Sequence, residues 1–198
     1  MSTNETLREI KRSLRGVMNG VVSASMRGKG LTYKVNFGVE LPRLREMSAR
    51  WTPSAELAEA LWSEDIRECR LLAAMLMPPT AFSDEQALRW IGTMRFAEEA
   101  ECTSAHLLAQ MPGASDLAFR LLSDAQPMAQ CCGYLTLARL FMRGMRPVQR
   151  DADELLDQAA TALASGHGLL QRSALAAVNK FAALGPAEEA LAARLLGF

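Results

Sequence analysis

Three carboxylates crowd into one stretch, "FAEEAE", as Glu98, Glu99 and Glu101. Carboxylates so close together can serve general acid–base chemistry or steady a developing cation. They are also what a solvated helix start looks like, because acidic groups complement the N-terminal end of the helix dipole. On spacing alone the second reading is the stronger. Cys69, Cys102, Cys131 and Cys132 show no CxxC spacing, and the only imidazoles are His106 and His167. No metal site and no cofactor are expected, and the four thiols read as small buried hydrophobes.

Charge is spread unevenly. Residues 1–50 hold ten Lys/Arg against four Asp/Glu, an excess of +6, and residues 51–198 hold twelve against eighteen, or −6. A basic segment of this size suits phosphate, and equally suits the solvated face of one helix.

The elements that must position these groups are helical. Hydrophobic residues make up 49% of the 198 and charged residues 22%, a globular balance. Ala, Leu, Met, Glu and Arg outnumber the β-branched residues, which favours helix over sheet. Helix starts are marked by Ser2 three before Glu5, Ser83 three before Gln86, and Asp65 three before Glu68. "WTPS" offers Thr52 as a cap with Pro53 at the first helical position. Leu7, Ile10, Leu14, Val17, Met18, Val21 and Val22 predict one continuous amphipathic helix, ended by "RGKG" at 27–30, with Arg8, Lys11, Arg12 and Arg15 mostly off its apolar stripe. "LTYKVNFGVELP" is expected to be an ordered connector that carries Tyr33 and Phe37 into the core. Trp62 and Trp90 are expected to seal gaps between helices.

A polar-then-apolar step recurs. It appears at Glu68 in "IRECRLLAAML", at Gln130 in "MAQCCGYLTLA" and at Gln171 in "LLQRSALAAVN", with a weaker copy at Glu101. Irregular units of about thirty to forty residues, each a pair of short helices, are the mark of HEAT-like solenoids. The expected fold is therefore all-α: one HEAT-like superhelix of about a dozen short antiparallel helices, with residues 1–30 as an N-terminal helical cap and 42–198 as repeats. In such an array Arg67, Glu68, Glu101, Gln130 and Arg172 would lie along one curved surface, the polar step being part cap and part inner face.

"NFGVELPRLREMSARW" followed by "ELAEALWSEDIRECRLLAAML" resembles the DNA alkylation-repair glycosylases built from HEAT-like repeats, the AlkD type. The positions that carry the resemblance are Phe37, Gly38, Val39, Pro42, Leu61, Trp62 and Glu68, and it is clearest over residues 36–80. It implies duplex DNA held in a concave groove, and a carboxylate beside aromatic side chains that steadies the sugar cation as an alkylated purine departs. Carried over residue by residue, the carboxylate position falls on Glu101. Phe96 keeps one aromatic position and Ala97 loses the second; the expected Arg falls on Cys131 and the last Trp on Ala176.

The resemblance thus implies a DNA-binding, repair-like protein with reduced or lost base excision. Glu101 is the catalytic candidate, and Lys29, Lys34, Arg95 and Arg172 are the phosphate candidates. The competing expectation is a non-enzymatic scaffold for a protein or peptide, which the acidic balance of residues 51–198 favours. No leader or membrane-spanning run is evident, so a soluble, cytoplasmic protein is expected.

Overall fold

The structure, a computed structural model, describes residues 2–196. Helices take up 72% of them, and the only β-type pairing among them is an isolated bridge between Val35 and Ile66. No helix among the described residues is long and apolar enough to cross a membrane. The chain divides into two compact units, Met1–Ser83 and Asp84–Phe198.

The first unit begins with α1 (Thr3–Gly16), where Ser2 and Glu5 form the expected reciprocal cap. The continuous helix expected to reach residue 26 is instead broken. α1 stops at Gly16, Asn19 caps a new start through its side chain, and α2 runs Gly20–Gly28. The break leaves Met18 and Val21 61% and 81% exposed, so the apolar periodicity there did not report burial. The connector does carry Tyr33 and Phe37 inward, both under 9% exposed.

There follow α3 (Leu41–Ser48), α4 (Ala55–Trp62), α5 (Arg67–Leu76) and a 3-10 turn at Pro79–Ala81. α4 is capped by Ser54 rather than Thr52, with the hydroxyl accepting from the Leu57 amide. α4 packs on α5, and α3 and α1 pack on this pair. Trp62 is 4% exposed and lies 4.1 Å under the Arg70 guanidinium, the sealing role expected of it.

Glu68 holds this unit in a way its spacing from Asp65 does not reveal. The N-cap of α5 is Ile66, which has no side-chain cap, so the Asp65–Glu68 reciprocal cap does not form. Glu68 is fully buried instead. Its carboxylate accepts from the amides of Phe37 and Val39, each at 3.1 Å, and from Arg67 Nη1 at 3.2 Å. Arg67 in turn donates to the Val39 carbonyl at 2.8 Å. Neither Arg67 nor Glu68 lies on a solvent-facing surface, contrary to the sequence expectation. Gly38 sits between Phe37 and Val39 at φ +73°, and a Cβ there would strike the Asn19 carbonyl and the Ser23 amide.

The second unit comprises α6 (Asp84–Ile91), α7 (Ala97–His106), a 3-10 turn at Leu108–Gln110, α8 (Ala114–Leu122), α9 (Pro127–Met142), α10 (Gln149–Ala164), α11 (Gly168–Ala182) and α12 (Pro186–Leu196). α9 is its centre, packed against α7, α8 and α11. Gly133 permits the close approach of α8, since a Cβ there would meet the Ala118 carbonyl at 2.8 Å. Tyr134, Leu137, Phe141, Val178 and Phe181 fill the core, and Trp90 is fully buried.

The recurrent polar step proves to be a tie between neighbouring segments. Gln130 Nε2 donates to the Asp124 carbonyl at 2.7 Å, and Gln171 Nε2 to the Leu163 carbonyl at 2.8 Å. Each glutamine, one turn into its helix, satisfies a carbonyl that the preceding helix end leaves open.

Removing the Glu68 carboxylate would strand two buried amides and take from the buried Arg67 its carboxylate partner. Glu68→Ala is therefore expected to cost about 3–5 kcal/mol, well above the roughly 1 kcal/mol of a lost helix cap. Urea unfolding of the variant beside wild type checks this, and a loss near the cap value would show that the clamp carries little.

Candidate functional site

α7 opens on the acidic stretch, and its three carboxylates part company. Glu99 is fully buried and accepts from the amides of Arg95 at 2.6 Å and Phe96 at 3.1 Å. Phe96 has no side-chain acceptor to complete a reciprocal cap, so Glu99 supplies the one half that exists. The expectation of three solvated acids fails at this residue. Glu98 is half-buried, and Glu101 reaches solvent.

Solvent contact does not leave Glu101 in bulk-like surroundings. Packing around it removes water and raises its carboxyl above the ordinary value, and the nearby Glu98 charge raises it further. Arg172 and then Arg139 act in the opposite direction, holding part of the charge in place. Among the described residues neither arginine closes a salt bridge, and both are exposed. The second unit therefore gathers one carboxylate from α7 and guanidinium groups from α9 and α11 within electrostatic reach of one another.

Cys131 lies on α9 within reach of the Arg172 charge. It is fully buried; desolvation raises its thiol above the ordinary value, while a hydrogen bond with Ser173 and the charge of Arg172 lower it in part. A neutral thiol packed against α11 cannot replace a guanidinium. All four cysteines are buried and free, and burial pushes Cys69 up to about 12. Among the described residues no group of His, Cys, Asp and Glu is arranged to hold a metal ion.

The remaining sequence candidates are dispersed. Arg95 precedes α7 with its guanidinium 5.4 Å over the Phe96 ring, so that aromatic face is already occupied. Ala176 is half-buried on α11. Lys29 ends α2 and Lys34 lies on the connector, both exposed and both in the first unit. Arg139 was missed. It lies eight residues beyond Cys131 on α9, turned about 80° from it around the helix and exposed, so aligning the polar step did not reach it.

The comparisons with known proteins give the family from one source and the fold from another. The profile of the family described as "DNA alkylation repair enzyme" matches residues 10–189. A search of curated proteins found no match. A solved structure, described as from "a new family of proteins related to the HEAT-like repeat DNA glycosylases with affinity for branched DNA structures", superposes with a TM-score of 0.84. The two are 15% identical, and the match covers 96% of this chain and 81% of the other. At that identity the likeness establishes the fold, a HEAT-like repeat array, as the recurrent polar step predicted.

Because Glu101 binds its proton more tightly when folded, stability should fall as pH rises from the ordinary carboxyl value of 4.5 through the raised one. Glu101→Gln removes that penalty. The variant should melt higher than wild type at neutral pH, by a small margin since solvent screens the site, and the margin should close below about pH 4. A constant margin across that range would mean that desolvation does not act on this carboxylate.

Proposed function

Because the chain belongs to the DNA alkylation repair enzyme family, we propose that it binds DNA through the sugar-phosphate backbone, with base excision reduced or lost. The observation that carries this reading is the placement of Arg139 and Arg172 beside Glu101. Two open guanidinium groups suit phosphate oxygens, which they can engage in pairs of hydrogen bonds. They suit a departing cationic purine poorly, since like charges would then meet at the reaction centre.

Excision by this family's chemistry needs a fixed carboxylate in a dry site with an aromatic face for the cationic base. Glu101 is open to solvent, its charged form is disfavoured, and Phe96 is covered by Arg95. Ala97, Cys131 and Ala176 stand where the resemblance places an aromatic residue, an Arg and a Trp. Lys29, Lys34 and Arg95 are proposed as further phosphate contacts. Duplex DNA is the proposed ligand, and the branched-DNA affinity of the structural relative's family makes a four-way junction the natural comparison. A protein partner is the alternative, and the acidic excess of residues 51–198 is what favours it.

Titration of labelled duplex and junction DNA at several salt concentrations tests the proposal. Ala variants of Arg139, Arg172, Lys29, Lys34 and Arg95 should each weaken binding alike across sequences and lower the salt slope by about one unit. Wild-type binding undetectable at low salt would end the DNA reading and promote the protein partner. On duplex DNA carrying a cationic N-alkylpurine, base release should be slow or undetectable. Any release that is seen should depend on Glu101, so that Glu101→Gln lowers it by about a hundredfold or more.

A further inference from the structure

Of the three tryptophans, Trp62 and Trp90 are buried, whereas Trp51 is half-exposed. It borders a groove of about 530 Å³ in the first unit, between α1 and the turn joining α3 to α4. That volume lies within the range of small-molecule sites, about 300–1,000 Å³. The turn contributes Arg50, Trp51, Thr52 and Ser54, and α1 contributes Glu9 and Ser13.

The polar groups of this groove are largely uncommitted. Arg50 and Glu9 line the same groove without an ion pair or side-chain hydrogen bond to any described residue. Ser54 Oγ accepts from the Leu57 amide at 3.4 Å, which leaves its proton free to donate outward. Ser13 and Thr52 also have hydroxyls without a partner among the described residues. Both charges are therefore open to a ligand, and one that carries an anionic group and hydrogen-bond donors would suit the pair.

We infer that this groove is a nucleotide site, taking a phosphate on Arg50 with the Thr52 and Ser54 hydroxyls and a base against the Trp51 ring. A guanidinium engages phosphate through paired hydrogen bonds, and hydroxyls donate to the remaining oxygens. An aromatic ring stacks on any base, because every base offers a π-face. Glu9, an acceptor only when ionised, takes N–H or O–H donors from base or sugar, and its charge discourages further phosphates. The fitting ligand is a nucleoside monophosphate, either free in solution or as the 5′-phosphorylated end of a DNA strand. This inference stands apart from the phosphate contacts at Arg139 and Arg172.

Calorimetric titration of the whole chain with deoxyadenosine 5′-monophosphate tests it, run beside DNA hairpins with a 5′-phosphate and with a 5′-hydroxyl. Saturable binding of the mononucleotide is expected, weakened about tenfold or more by Arg50→Gln and by Trp51→Leu. Arg50 is exposed, so its variant should fold even if the tryptophan variant does not. Mononucleotide binding without preference between the hairpins assigns the site to free nucleotide. An Arg50-dependent preference for the phosphorylated hairpin assigns it to strand ends. Absence of saturable binding to the mononucleotide and to the phosphorylated hairpin, or binding that Arg50→Gln leaves intact, overturns the site. Loss of DNA affinity in the Arg139 and Arg172 variants would be unaffected by that result, so the two readings fail separately.

Discussion

A carboxylate with no access to water must find its partners within the protein, and Glu68 shows how much structure one such demand can organise. Its two oxygens take the amides of Phe37 and Val39 and the guanidinium of Arg67, while Arg67 takes the Val39 carbonyl. Three further pairings engage that loop. The Phe37 carbonyl accepts from the Asn19 amide at 2.8 Å, the Asn36 carbonyl from Ser23 Oγ at 2.8 Å, and Asn36 Oδ1 from the Gly38 amide at 2.8 Å. A non-helical segment can therefore lie buried without stranded backbone groups. Through it, the start of α2 and the first turn of α5 become neighbours. A hydrophobic pair at position 68 could fill the volume but could not bind two loop amides at once, so the loop would lose the register that brings Pro42 to the start of α3.

The second unit meets the same requirement in a different way. Glu99 binds the amides that precede its helix, and Gln130 and Gln171 bind carbonyls that the preceding segments leave open. A carboxylate only accepts and so must face amides, whereas a glutamine amide can donate and so can face carbonyls. The choice of Glu or Gln at the polar step thus tracks which backbone groups the adjoining segment exposes. That consideration frees Glu101 from a structural role, since Glu99 already serves the start of α7. Glu101 is left facing Arg172 and Arg139, where a charge is held by balance rather than by contact.

The helical class, the ordered connector and the sealing roles of Trp62 and Trp90 were legible because they follow from periodicity, turn residues and side-chain size. The resemblance over residues 36–80 was legible as well, and the structure explains it physically: Phe37, Gly38, Val39 and Glu68 are the parts of one buried clamp. The role of Glu68 itself was misread. Spacing of three from Asp65 is a local signal, whereas the amides it binds lie 31 and 29 residues away and leave no mark in a sequence window. The break between α1 and α2 was hidden for a related reason, since apolar residues keep helical spacing across it while Asn19 turns the chain. At the candidate site, Glu101 came from the resemblance and the weaker copy of the polar step, and Arg172 from the step itself; within the second unit the helices that carry the step, α7, α9 and α11, pack together through α9. Arg139 was missed, because it lies beyond the step.

What the family's residues do chemically and what they do architecturally can therefore be separated in this chain. The motif that identifies the family is kept whole, and it is the part that folds the first unit. The positions that the resemblance links to base excision are altered together: one aromatic residue to Ala97, the Arg to Cys131, the Trp to Ala176. A lone substitution among them could be compensated by its neighbours. On the proposed reading, joint loss would remove one aromatic face and the fixed cation at once, and a buried thiol and two methyl groups can supply neither. The carboxylate that remains is drawn toward its neutral form, the wrong direction for a group meant to steady a cation. Desolvation and the Glu98 charge work against the Glu101 carboxylate while Arg172 and Arg139 favour it, so on the proposed reading a phosphate would compete with it for the two guanidinium groups.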